Sequence, residues 1–260
     1  MPESAGLEAA LEQTGDQVAD ALRAAAAVIR DLKKGQRAAR DGQVRDLRRA
    51  LASASELAGQ LATVTAAAQS ALTCDEQAEL SSGTYAQELL AAAAGRGLTM
   101  VADGDRLLCY PSIIRLLPGD AAIEIDRRRE KRLRPSAVVD RLGAVQNQPP
   151  RFRPEPFLES LLDAYEHVVA SRARAADAVV PLVEVWRLLT LLPGQSREYT
   201  QPEFARDLYL LDQSGATVTK SGRALRWHAS TGTRGSGVLS TVARSGQQQR
   251  YWGVSFAGGA

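Results

Sequence analysis

The sequence predicts a mainly α chain with α+β modules: an N-terminal antiparallel helical hairpin or coiled coil, followed by winged-helix-like units of helices and β-hairpins. Three observations carry this. Two runs of heptad-spaced apolar residues occupy the first 72 positions. Short apolar stretches broken by Asp-Gly-Asp and Pro-Gly-Asp turns follow them. Towards the C-terminus, helical periodicity gives way to the period-two alternation of strands. The expected domains are a hairpin over 1–75, a small α+β module with a basic run over 76–148, and a helical then β-hairpin module over 149–260.

In the first run, Leu7, Leu11, Thr14, Val18, Ala21, Ala25, Val28 and Leu32 are spaced alternately by four and three. In the second, Val44, Leu47, Leu51, Ala54, Ala58, Leu61, Thr65, Ala68 and Leu72 repeat the alternation. That spacing keeps one stripe of each helix towards a partner with period 3.5. Gly35, after Lys33 and Lys34, is the expected helix stop. About 30 residues rising ~1.5 Å each give a hairpin about 50 Å long. Alanines and threonines make the seams weak alone, so a third helix or another chain is expected to cover them. Val44, Leu47, Leu51 and Leu61 are the expected partner-binding residues.

Next, Ser82 or Thr84 caps a helix through Ala94, ended by Gly95 and Gly97. Leu98–Ala102 and Leu107–Tyr110 flank Asp103-Gly104-Asp105, and Ile113–Leu117 and Ala121–Ile125 flank Pro118-Gly119-Asp120, so two hairpins are predicted. Helices are predicted over Ser136–Val145, from near Glu155 through Val169, over Ala178–Leu192, and over Gln201–Gln213 with Thr200 as its cap. Strands are predicted at Arg223–Ala229, Val238–Arg244 and Gln249–Phe256, with Ser245-Gly246 joining the last two.

With 45% hydrophobic and 24% charged residues, the chain supports a core and is not globally disordered. Met1 to Gly6 carries no basic n-region and no apolar h-region follows, and no stretch approaches the ~18 apolar residues that span a bilayer. A cytoplasmic location without membrane association is expected. Cys74 and Cys109 lack CxxC or His-rich neighbours and are expected as reduced, buried thiols.

Chemistry for catalysis is sparse. His167 and His228 are the two histidines, and neither completes a zinc or nucleophile–base set. The loop Gly232 to Gly237 is glycine-rich but lacks the Lys-Ser/Thr of a P-loop. Asp120, Glu124 and Asp126 offer the carboxylates of a divergent metal-dependent nuclease, although surface pairing with Arg127 and Arg128 explains them more simply. No cofactor and no metal are expected.

Charge distribution is more informative than the net +2. Residues 76–126 carry three basic and eight acidic side chains; residues 127–153 carry nine and two. After Asp212 there are six basic residues and no acidic ones. Three basic patches result. The first is the hairpin tip, from Arg30 to Arg49. The second is Arg127, Arg128, Arg129, Lys131, Arg132 and Arg134. The third is Lys220, Arg223, Arg226, Arg234, Arg244 and Arg250, with Trp227 and Trp252 interleaved. Forked guanidinium donors suit phosphate oxygens, and an aromatic ring beside them suits base stacking. The second and third patches, with Trp252, are the expected nucleic-acid contacts. The expected function is a non-catalytic, nucleic-acid-associated accessory subunit of a larger complex. DNA is the preferred partner, held by its backbone, and the hairpin docks another protein or a second copy. A protein scaffold without a nucleic-acid role is the alternative, ahead of the nuclease.

Overall fold

Heptad spacing at the N-terminus becomes a helical hairpin, α1 (Leu7–Arg40) packed along α2 (Val44–Ala71). The computed structural model describes residues 6–72, 74–229 and 237–258. The initial Met1 to Ala5 and most of the glycine-rich loop, with Arg234, lie outside the described residues. The chain is mixed α/β and divides into two units. One comprises Met1–Ala92, Leu117–Ala122 and Lys131–Val138; the other comprises Ala93–Leu116, Ile123–Glu130 and Val139–Ala260.

In the first unit, α1 runs through the predicted stop at Gly35 and breaks at Asp41-Gly42, where Gly42 takes φ +68°. Gly35 is buried in the seam instead. A Cβ there would lie 3.6 Å from the Ala50 Cβ, an ordinary van der Waals contact. The seam also differs from the predicted stripe. On α1 the inner positions are Leu7, Thr14, Ala21 and Val28 with Ala10, Gln17, Ala24 and Asp31, of which Leu7 and Ala10 lie beyond the end of α2 in this register. Val18 and Leu32 are exposed. On α2, Leu47, Ala54, Leu61 and Ala68 lie in the seam with Ala50, Leu57, Val64 and Ala71, while Leu51 is exposed. Ala24, Ala50 and Ala54 lie inward, where small side chains let two backbones approach closely. Asp31 fixes the register, accepting from Ser53 Oγ at 2.6 Å and Lys34 Nζ at 2.9 Å. Two short helices follow. α3 (Glu76–Ser82) is capped by Asp75, which accepts the Gln77 and Ala78 N–H groups, and α4 (Thr84–Gly95) buries Tyr85 and Leu89.

Both predicted turns make strands: β1 (Val101–Asp103), β2 (Arg106–Cys109), β3 (Ser112–Leu117) and β4 (Ala122–Ile125). A fifth, β5 (Arg128–Glu130), follows β4 directly and completes a sheet in the order β1-β2-β3-β4-β5. Ile125 pairs with Arg128, so Asp126 and Arg127 form a two-residue turn with φ +47° and +65°. This left-handed pair is usual for Asn-Gly, and no glycine announces it here. α5 (Pro135–Gln146) comes next.

The second unit's core is built by α6 (Pro154–Ser171), α7 (Leu182–Leu189) and α9 (Gln201–Ser214), with a single turn α8 (Gln195–Glu198) before the last. Leu158, Leu161, Leu162, Tyr165, Val168 and Val169 form the buried face of α6. The helix predicted from Ala178 begins only at Leu182. Pro181 has no N–H and pushes Val180 to extended backbone, so Val180–Pro181 is strand β6. Strands β7 (Ala224–His228), β8 (Leu239–Val242), β9 (Gln248–Tyr251) and β10 (Gly253–Ala257) follow. They pair as a sheet of order β6-β10-β7 and a separate β8-β9 hairpin. The predicted strand Gln249–Phe256 therefore breaks at Trp252, because its halves serve different sheets.

Candidate nucleic-acid interface

At the hairpin tip, Arg30, Lys33, Lys34, Arg37 and Arg40 on α1 and Arg45, Arg48 and Arg49 on α2 are all exposed. Three carboxylates lie among them. Asp31 is buried and taken up by Ser53 and Lys34, whose hydrogen bonds hold its carboxyl below the usual carboxylate range. Asp46 pairs with Arg49, and Asp41 is exposed.

The second patch is divided by the fold. Arg127 closes a two-pronged contact on Glu203 at the start of α9, with Nε 2.6 Å from Oε1 and Nη2 3.1 Å from Oε2. Arg134 donates to Glu8 at 2.7 Å, and the same carboxylate accepts the Ser136 N–H near the start of α5. Glu130 is buried and paired with Arg141. Arg128 and Arg129 are exposed on the edge strand β5, with Arg129 opposite Glu124 in register. Lys131 and Arg132 follow in sequence and are exposed too.

In the third patch Arg223 is drawn into the fold, while Lys220, Arg226, Arg244 and Arg250 are exposed. Arg223 donates to Glu166 at 2.6 Å and to the Ala176 and Phe256 carbonyls at 2.9 Å, and lies over the Tyr165 ring. Arg244 donates to Asn147 and Arg250 to Gln248. Arg226 is exposed on β7. Trp227 packs against Tyr251 beside the core. Trp252 is half-buried in the link between β9 and β10, and its carbonyl accepts the Leu182 N–H at 2.8 Å. Since the strand breaks there, alternation does not place Trp252 on the face of Arg250.

Sequence reasoning missed the polar network around the start of α9. Thr200 donates its N–H and hydroxyl to Glu203 Oε2, and Arg106 reaches the Thr200 hydroxyl at 2.7 Å. Burial pushes the Glu203 carboxyl up, but Arg127 and Thr200 outweigh it and hold it below the ordinary value. Asp126 accepts the Ile113 N–H and pairs with Arg206, which also holds Asp207. Burial pushes the Asp207 carboxyl and the Tyr199 phenol bonded to it upwards. These contacts hold the left-handed Asp126-Arg127 turn. The one sequence signal was the Thr200-x-x-Glu203 capping box.

Of the predicted carboxylates, Glu124 and Asp126 line a shallow hollow of about 50 Å³ with Arg106, Arg115, Arg127 and Arg197. Asp120 lies in a 3₁₀ turn, Pro118–Asp120, of the other unit. Of the predicted partner-binding residues, Val44 and Leu51 are exposed, whereas Leu47 and Leu61 lie half-buried in the hairpin's own seam. No helix among the described residues is long and apolar enough to cross a membrane. No protein-family model, curated protein or solved structure matches this chain.

Proposed function

We propose that this chain is a non-catalytic accessory subunit that holds nucleic acid by its phosphate backbone, with the hairpin tip as the principal contact. The supporting observation is the exposure of all eight cations between Arg30 and Arg49, of which Lys34 and Arg49 pair with Asp31 and Asp46. Phosphate contacts release counterions, and the gain is larger per contact on duplex than on single strands, so duplex DNA is the preferred form. Arg128, Lys131 and Arg226 add exposed cations, whereas Arg127, Arg134 and Arg223 serve the fold.

A winged-helix-like reading of the second unit is supported by element order. The chain runs α6, β6, α7, α8, α9, β7, the β8-β9 hairpin and β10, and β6, β10 and β7 form a sheet ordered first, last, middle. The helix that would read a groove is α9, yet its Phe204, Ala205, Leu208, Tyr209, Leu210 and Leu211 are buried. Binding is therefore proposed to ignore base identity. The same burial favours the second reading, a protein scaffold whose tip meets an acidic protein surface.

Titration of the full chain with random-sequence duplex separates the two readings. With about 6–10 phosphate contacts, affinity falls by ~10³–10⁵ between 50 and 200 mM salt, whatever the base sequence. Absence of duplex binding at the lower salt would contradict the nucleic-acid reading and leave the scaffold.

A further inference from the structure

The hairpin carries more apolar surface than its own seam uses. Beside the seam row that begins at Leu7, α1 has a second row of period seven: Leu11, Val18, Ala25 and Leu32. α2 has its counterpart in Val44, Leu51, Ala58 and Thr65, ending at Leu72. The next row of α1 adds Leu22, 67% exposed, and Ile29, 53% exposed. Val44 and Leu51 are 56% and 50% exposed. Both rows occupy the position one residue after an inner seam residue, heptad position e. Reversing one helix of a pair sets e beside e, so the two rows lie on one side of the hairpin. From Leu11 to Leu32 and from Val44 to Leu72, these rows hold one charged residue, Arg48. The other side carries Asp20, Arg23, Arg30, Arg49 and Glu56.

We propose that this face, charged only at Arg48, joins two copies of the chain, packed antiparallel about a two-fold axis near Ala25 and Ala58 into a four-helix bundle. The size fits. Two helices, each about 10 Å wide and in contact over about 40 Å, give ~800 Å² per copy. A stable interface needs ~1,200–2,000 Å² in total. The pattern along the face fits as well. With Asp31 opposite Ser53 and Gly35 opposite Ala50, the tip end carries Leu32, Ile29, Val44 and Leu51. The far end carries Leu11, Val18 and Leu72, and the middle carries Ala25 and Ala58 in the flanking rows, with Leu22 one turn from Ala25. A two-fold axis demands a self-complementary patch, and bulky–small–bulky reads the same from both ends. Alanines at the axis bring the backbones together. The proposal is independent of what the basic tip holds.

Sedimentation of the full chain between about 1 and 100 μM tests it. The wild type is expected to be dimeric. Leu22→Glu with Ile29→Glu is expected to weaken association by about 100-fold or more, because the charges enter the contact unpartnered. Both side chains are exposed in the single chain, so helicity by circular dichroism is expected to be unchanged. Ala26→Glu, on the outer side of α1, is expected to leave the dimer intact. A monomeric wild type across the range would overturn the proposal. So would a folded double variant that stays dimeric, or equal dissociation by Ala26→Glu.

Discussion

The Arg127 guanidinium grips Glu203 through two hydrogen bonds, 2.6 and 3.1 Å long, while that carboxylate also takes both donors of Thr200. One side chain thereby joins the left-handed turn before β5 to the cap of α9. Arg127→Ala takes both guanidinium contacts from Glu203, 11% exposed in the native fold, and leaves it the Thr200 donors. Arg127 itself is about half exposed, which moderates the loss, so a cost of about 1–2 kcal/mol in urea unfolding is expected. The folded Glu203 carboxyl lies below its ordinary value. Its contribution is therefore present above pH ~4.3 and is lost as pH falls through the folded value. The variant's deficit is expected to be full at neutral pH and to shrink below about pH 4.

Arg223 and Arg226 stand three residues apart with opposite roles. Arg223→Ala removes an ion pair, two carbonyl contacts and a ring contact, and about 1–3 kcal/mol of stability is expected to go with them. Its duplex affinity per folded molecule is expected to stay unchanged. Arg226→Ala is expected to alter stability by less than about 0.5 kcal/mol, as exposed substitutions do. Equal loss of stability in both variants would remove the distinction.

Much of this fold is legible in the sequence. The Asp-Gly-Asp and Pro-Gly-Asp turns mark their hairpins, and Thr200, Pro202 and Gly215 bound α9. The hairpin seam was half legible, because the heptad run admits two neighbouring stripes. Leu11, Val18 and Leu32 are the bulkier choice for a core, yet Ala10, Ala24 and Asp31 sit inside, where close backbone approach and the Asp31–Ser53 bond decide. Strand β5 was hidden because its turn lacks glycine and its residues are charged. Which arginines point outward was not legible at all. Glu166, Glu203 and Glu8 lie 57, 76 and 126 positions from the arginines they hold, and only the tertiary fold brings them together.

Cys109 is buried on β2, and burial pushes its thiol up to about 11. In the folded protein it is expected to resist thiol reagents at pH 8, whereas half-buried Cys74 reacts; denaturant exposes both. Since the folded value is raised, the contribution is complete below the ordinary thiol value of ~8.5 and is lost as pH rises towards 11. Cys109→Ala is expected to flatten that alkaline loss in unfolding titrations.

The basic tip is tested most directly by the salt dependence of duplex binding in the full chain carrying Arg37→Ala, Arg40→Ala and Arg45→Ala. All three side chains are exposed, so the fold is expected to persist. Each phosphate contact contributes ~0.9 to the slope of log affinity against log salt. The slope is therefore expected to shrink by about 2–3, equally on unrelated sequences. A folded triple variant with the wild-type slope and affinity would contradict the assignment of the tip as the phosphate-binding surface.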